Sequence, residues 1–413
     1  MFASCFVGCK ALPPASPSVR KVESHRTVAG SFSWPDGLTA GKALTTGQCV
    51  AVALWNSPDY QVALADLGIA RSEVVKAGQV ANPTLSALFP SNDKAFEAAL
   101  KLPIEALWLR PKRIALAETE LEATAARLTQ AGADLARDIR LAAAKVLLVR
   151  EQADLAGGNG RVFDEMARIA GTREKAGENG GLELSQARAD AALAAQEKER
   201  LKYEERLAME KLRNLMGMAQ HPGTLELITD GSFAAQHDSV GPSVREAIRS
   251  RADVRAAELG VIAAGQRVGL TKAEVFSLTA VAKFTDGAGT QPGFDLPLPI
   301  FNQNQAARVL ADAQLEKAMR QLAAARHRAA ADTRESLAKL NQACVVSAGW
   351  KKVLPELQSA LAKARTAVTE GEAHPLLALD AARRLFDARS KAAESRFRQA
   401  EAAAELRRAL GKT

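Results

Sequence analysis

The chain has 413 residues, 55 basic and 47 acidic side chains for a net charge of +8, and it is 47% hydrophobic but only 5% aromatic. That length allows two or three ordinary domains, yet so few aromatic side chains argue against a compact enzyme and for extended helices that pack through alanine. The apolar fraction excludes general disorder, and the absence of any run near the roughly 20 apolar residues of a membrane-spanning helix excludes a helical membrane protein while leaving a β-barrel open. The positive charge is scattered and has no aromatic interleaving, so it reads as solvated helix surface rather than a nucleic-acid patch.

The chain opens on MFASCFVGC and KALPPASP. Phe6-Val7-Gly8-Cys9 resembles the end of a bacterial lipoprotein signal, in which a small residue precedes the cysteine that becomes the lipidated N-terminus, here Cys9; a plain tail with two incidental cysteines is the alternative. Cys5, Cys9, Cys49 and Cys344 include no CxxC pair and no histidine at ligand spacing, so they do not form a zinc site. Residues 1–43 are read as this tail.

Beyond it the sequence repeats itself. Asp59, after Asn56-Ser57-Pro58, and Asp253, after Arg251-Ala252, lie 194 positions apart. The same offset relates Ala117, Leu121, Glu122 and Leu128 to Ala311, Leu315, Glu316 and Leu322, and Gly177 and Leu182 to Gly371 and Leu376. It also relates Leu212 to Gly217 with Leu406 to Gly411. One offset shared at both ends and in the middle marks a tandem duplication. The repeats are assigned to 44–217 and 243–411, joined by a linker at 218–242.

Each repeat starts with a helix, Leu44 to about Gln79 and Ser243 to about Leu270. A short region of alternating polarity follows. From Val275 to Phe284, an apolar set of Phe276, Leu278, Ala280, Ala282 and Phe284 alternates with Val275, Ser277, Thr279, Val281 and Lys283. In a strand the two sets face opposite sides, the first suited to lipid and the second to a wetter interior. A return strand is expected over Phe294, Leu296, Leu298 and Ile300. In the first repeat the outgoing strand is expected at Thr84 to Phe89, and the return strand has Ala98, Leu100, Leu102 and Ile104 alternating with Glu97, Ala99, Lys101 and Pro103. Pro90 to Asp93 and Asp286 to Gly289 are the turn-rich tips.

After each hairpin comes a helical tract too long for a compact fold, Lys112 to about Ala176 and Asn304 to about Glu370. Some 65 residues would extend roughly 95 to 100 Å. Glycines 157, 158 and 160 in the first tract, and Pro355 at nearly the corresponding place in the second, predict a break or kink in each. Turns at Gly177 to Gly181 and Gly371 to Pro375 send the chain back as a second helix, on which Ala187, Ala194, Leu201, Ala208 and Leu215 recur every seven residues as a coiled-coil seam.

This order resembles that of the TolC-like outer-membrane efflux proteins, from about Leu44 to Gly411. The most specific piece, Pro292-Gly293-Phe294-Asp295-Leu296-Pro297-Leu298-Pro299-Ile300-Phe301-Asn302-Gln303-Asn304-Gln305, is similar to the signature of the branch that serves cobalt, zinc and cadmium efflux. The resemblance implies a mainly α chain with transmembrane β: a homotrimer in which four strands per chain make one twelve-stranded barrel in outer-membrane lipid, continuing into a long α-helical barrel across the periplasm. It implies passive export without a cofactor, with heavy-metal cations as cargo, an inner-membrane pump of the resistance-nodulation-division (RND) class and a periplasmic adaptor. The adaptor contact is expected at Arg173, Gly177, Leu182, Gly371 and Leu376, and Glu370, Glu372 and Asp380 are candidate acidic groups of the pore. The five histidines, at 25, 221, 237, 327 and 374, form no metal or catalytic constellation, and no GxSxG, Walker A or dinucleotide fingerprint is present. A coiled-coil interaction protein without a pore is the alternative reading.

Overall fold

The computed structural model describes residues 16–25, 32–39, 41–90, 95–177, 181–223, 225–228 and 239–412. Cys5 and Cys9 lie outside these residues, as do the tip at 91–94 and Gly180. A short helix α1 (Pro17–Glu23) precedes the first repeat. That repeat contains α2 (Thr46–Asn56), α3 (Pro58–Gly78), β1 (Thr84–Leu88), β2 (Glu97–Pro103), α4 (Ala106–Lys175) and α5 (Leu182–Leu215). The same order of elements follows once more, as α6 (Val240–Ser250), which begins within the stretch assigned as linker, α7 (Ala252–Ala273), β3 (Thr279–Thr285), β4 (Gly289–Asp295), α8 (Gln305–Thr369) and α9 (Pro375–Ala409).

The single opening helix expected in each repeat is two helices. Ser57 separates α2 from α3 because a residue before proline is pushed out of the helical region, and Pro58 then occupies a first turn where its missing N–H costs nothing. Thr45 starts α2 with a capping box: its hydroxyl accepts from the Gln48 N–H while the Gln48 side chain accepts from the Thr45 N–H. In the second repeat the break falls at Arg251, which adopts an extended conformation before α7.

The expected breaks in the long helices do not occur; α4 runs unbroken through Gly157 to Gly160 and α8 through Pro355. The glycines have a packing reason. A β-carbon on Gly157 would sit 3.3 Å from Lys198, and one on Gly160 would sit 3.7 Å from Ala194, so this face of α4 lies against α5. Pro355 is exposed, which leaves the carbonyl it cannot bond open to water.

The chain forms two compact units, one of 62–130 and 248–329 with the N-terminal 26 residues, the other of 27–61, 131–247 and 330–413. In the first, α4 meets α7 through Ala123, Ala126, Ala256 and Leu259, and α7 meets α8 through Val254, Ala325 and Ala329. Arg251 is only 2% exposed and forks onto Asp253, with Nε at 3.0 Å and Nη2 at 2.7 Å. In the second unit, one core combines Cys49, Val52, Ile139, Val146, Leu212 and Met216. Another gathers all four long helices around Phe163, Met166, Ala187, Ala194, Val368 and Leu379. Ala187, Ala194 and Leu201 of the seven-residue seam are buried, while Ala208 and Leu215 are half-buried against the first core.

Candidate functional site

The four strands form one antiparallel sheet in the order β1-β2-β3-β4. Residues directly opposite one another in such a sheet share a face. Leu100 pairs with Leu85 and Ala282, Ala98 with Ala87 and Phe284, and Ala280 with Leu102 and Phe294. One face is therefore apolar. At its hairpin end it carries an aromatic row, with Phe89 and Phe96 centroids 6.0 Å apart and Phe96 and Phe284 centroids 6.5 Å apart. Aromatic rows of this kind mark the edges of the apolar band in membrane barrels.

The opposite face carries Thr84, Ser86, Glu97, Ala99, Lys101, Thr279, Val281, Lys283, Gln291 and Asp295, and also Leu88. Lys283 Nζ lies 2.9 Å from Glu97 Oε2, and Lys101 Nζ lies 3.0 Å from Asp295 Oδ2. Sequence reasoning put Lys283 in the set suited to a wetter interior and Glu97 and Lys101 in the set alternating with the apolar residues, without pairing them. Opposite charges two positions out of register were the available signal, on neighbouring strands for Lys283 and Glu97 and across one intervening strand for Lys101 and Asp295.

The return strand of the second repeat lies upstream of its expected place. The ladder runs from Gly289 to Asp295, so Leu296 to Ile300 lie beyond it, and a three-residue turn at 286–288 joins Thr285 to Gly289. Prolines 297 and 299 would remove consecutive donors along one side of a strand, whereas Pro292 is tolerated on a strand that forms an edge of the sheet. The signature continues into a cap for α8. Asn304 holds a positive φ of 62°, its N–H donates to Asn302 Oδ1 at 3.0 Å, and the Gln303 N–H donates to Gln305 Oε1 at 3.0 Å.

At the helical turns, Gly177 and Gly371 hold φ of 78° and 81°. The Glu372 N–H reaches back to the Ala367 carbonyl at 2.9 Å, closing α8 with a left-handed cap. Leu182 is 66% exposed at the start of α5, and Leu376 stands at the margin of exposure on α9. Arg173 donates to the Ala373 carbonyl at 3.3 Å and so joins the two turns. Helices α8 and α9 are also tied to α4 and α5 by ion pairs of Arg365 with Glu165 and Arg383 with Asp190, and His374, just before α9, contacts the buried Glu183. Glu370 and Glu372 are exposed, whereas Asp380 is paired with Arg384 at 2.8 Å. Among the described residues no group of histidine, cysteine and acidic side chains could hold a metal ion, and no helix is long and apolar enough to cross a membrane.

Residues 243–412 match the family described as outer membrane efflux protein. The cobalt-zinc-cadmium resistance protein CzcC of Cupriavidus metallidurans is 26% identical over 390 residues, covering 90% of this chain and 91% of that protein. The crystal structure of CusC superposes with a TM-score of 0.76 at 19% identity, covering 94% of this chain and all of that one. The Vibrio cholerae outer membrane protein VceC gives 0.73 at 18% identity, covering 89% and 96%. In TolC-like channels four strands per chain form the barrel in a trimer, and this chain likewise has one sheet of four strands. The second half of the chain thus matches the outer membrane efflux protein family, and the chain shares along nearly its whole length the TolC-like fold of these outer-membrane channels.

Proposed function

We propose that this chain is the outer-membrane channel of a tripartite efflux system and passes heavy-metal cations outward. The observation that carries the channel reading is the sheet itself, with one apolar face, one charged face and two edges without neighbours in the chain. Lipid does not tolerate open edges, and four strands are too few to close a barrel, so three copies complete the wall. The channel has no energy source of its own: an inner-membrane RND pump drives export, and a periplasmic adaptor joins the two. The repeats are 44–217 and 243–411, and a lipid on Cys9 adds an anchor.

The adaptor docks on the turns through Arg173, Gly177, Leu182, Gly371 and Leu376. Exposure of Leu182 and the left-handed glycines support this reading, because the glycines let the chain reverse tightly and leave the flanking side chains outward. Glu370, Glu372 and Asp380 add acidic charge near the same end, with Asp380 already shared with Arg384. Metal cargo is supported by the likeness to a cobalt-zinc-cadmium resistance protein. The test is the sensitivity of cells lacking the protein. Increased killing by cobalt, zinc and cadmium, restored by the gene, is expected; unchanged metal tolerance with increased sensitivity to dyes and detergents would contradict metal cargo.

A further inference from the structure

The charged residues of the four strands, as far as they are described, are Glu97, Lys101, Lys283 and Asp295, and all of them fall on one face. They are two acids and two bases, joined as two pairs. Glu97 is two positions along from Ala99, the partner of Lys283, so the upper pair is a diagonal between adjacent strands. Lys101 is opposite Val281, which is opposite Gly293, and Asp295 lies two positions further on, so the lower pair reaches from β2 across β3 to β4. Lys101 stands four positions along β2 from Glu97, about 13 Å, which puts the pairs at two levels of the wall.

All four side chains are at least one-third exposed in the single chain. Ion pairs this open to water contribute little to stability, so their arrangement calls for a reason other than holding the sheet together. The geometry points to a charge-compensated lining: the pairs Lys101–Asp295 and Lys283–Glu97 cancel the charge of the barrel bore and keep its carboxylates occupied, so that a passing divalent cation meets no free acidic ligand. This rests on the channel reading, in which the polar face is the inner one. Threefold symmetry multiplies each residue by three. Loss of one lysine exposes three carboxylates at one level of the bore, and loss of one acid exposes three ammonium groups.

The experiment is single-channel recording of the purified full-length trimer in a planar bilayer under a potassium chloride gradient, with zinc chloride alone as the metal probe. Asp295→Asn is expected to shift the permeability ratio toward chloride, and Lys101→Gln toward potassium, each by at least about twofold. Lys101→Gln should also let zinc reduce the current at concentrations that leave the unsubstituted channel unaffected. The double variant Lys101→Gln/Asp295→Asn should restore the original ratio and remove the zinc effect. Channels that open normally in all variants but keep one permeability ratio and one zinc response would overturn the lining and leave the channel reading intact. Unsubstituted protein that opens no pore would overturn both. Glu97→Gln and Lys283→Gln repeat the comparison at the second level, so failure of one variant to assemble does not decide the outcome.

Discussion

The carbonyl of Asn56 occupies the space where a side chain on Gly217 would begin. A β-carbon there would sit 2.1 Å from the Asn56 oxygen, and Gly217 holds φ at +72°. The end of α5 therefore closes on the end of α2, bringing together two segments, Asn56 to Asp59 and Leu212 to Gly217, that stand at opposite ends of the first repeat. Asn56 also fastens this corner from its own side, its amide donating to the Ser33 carbonyl at 2.8 Å and the Val52 carbonyl at 3.0 Å.

Gly217→Ala is expected to lower stability by roughly 2 to 4 kcal/mol, because both the backbone conformation and the missing volume exclude a side chain. Gly349→Ala is the control. Gly349 lies inside α8 with nothing within 4 Å of a β-carbon, so alanine there should stabilise by about 0.5 to 1 kcal/mol. Thermal unfolding in detergent measures both, and equal midpoints for the two variants would contradict the close approach.

The two faces of the sheet should respond oppositely to a new charge. Ala282→Arg places a cation on the apolar face and should cost about 2 to 4 kcal/mol near the bilayer midplane, with less protein recovered in outer membranes. Ala99→Arg, one position out of phase on the polar face, should insert normally. Fractionation of cells expressing each variant distinguishes them; equal insertion would reject the assignment of faces.

At the turns, Leu182→Asp and Leu376→Asp should abolish export without lowering trimer yield, because these side chains protrude from the helix starts. Bulky substitutions at Gly177 and Gly371 should do the same at a backbone cost of about 1 to 2 kcal/mol. Normal metal export by the two aspartate variants would remove these positions from the adaptor contact.

Burial pushes the Tyr60 phenol up to about 12. The fold accommodates the neutral form, so this contribution is complete below about pH 10, the ordinary tyrosine value, and is lost as pH rises from there toward 12. Across that window wild-type protein should lose about 1.4 kcal/mol per pH unit relative to Tyr60→Phe. Denaturant titrations at pH 8, 10 and 11 measure the difference, and parallel curves would show that Tyr60 is not buried as a neutral group.

Much of this was legible in the sequence, and where it was not, packing had overridden local preference. The strand β2 and the buried positions Ala187, Ala194 and Leu201 follow from periodicity alone, whereas β1 is poorly patterned and is placed by its position before the turn. The strand β4 does not, because Gly289, Pro292 and Gly293 are poor strand formers and only pairing with β3 holds them in the ladder. Glycines 157, 158 and 160 read as a break, yet Lys198 and Ala194 on α5 use the space left at Gly157 and Gly160. At the turns, Gly177 and Gly371 announced themselves, but Arg365, Glu165, Arg383 and Asp190 did not, since charges some 200 positions apart carry no local pattern.

The central claim is that one chain supplies only a segment of a wall that identical copies complete. The mass of the detergent-solubilised particle tests this most directly, with the bound detergent subtracted. Three chains in a particle that requires detergent to remain in solution is the expected result, whereas a single chain that stays dispersed in plain buffer would contradict it.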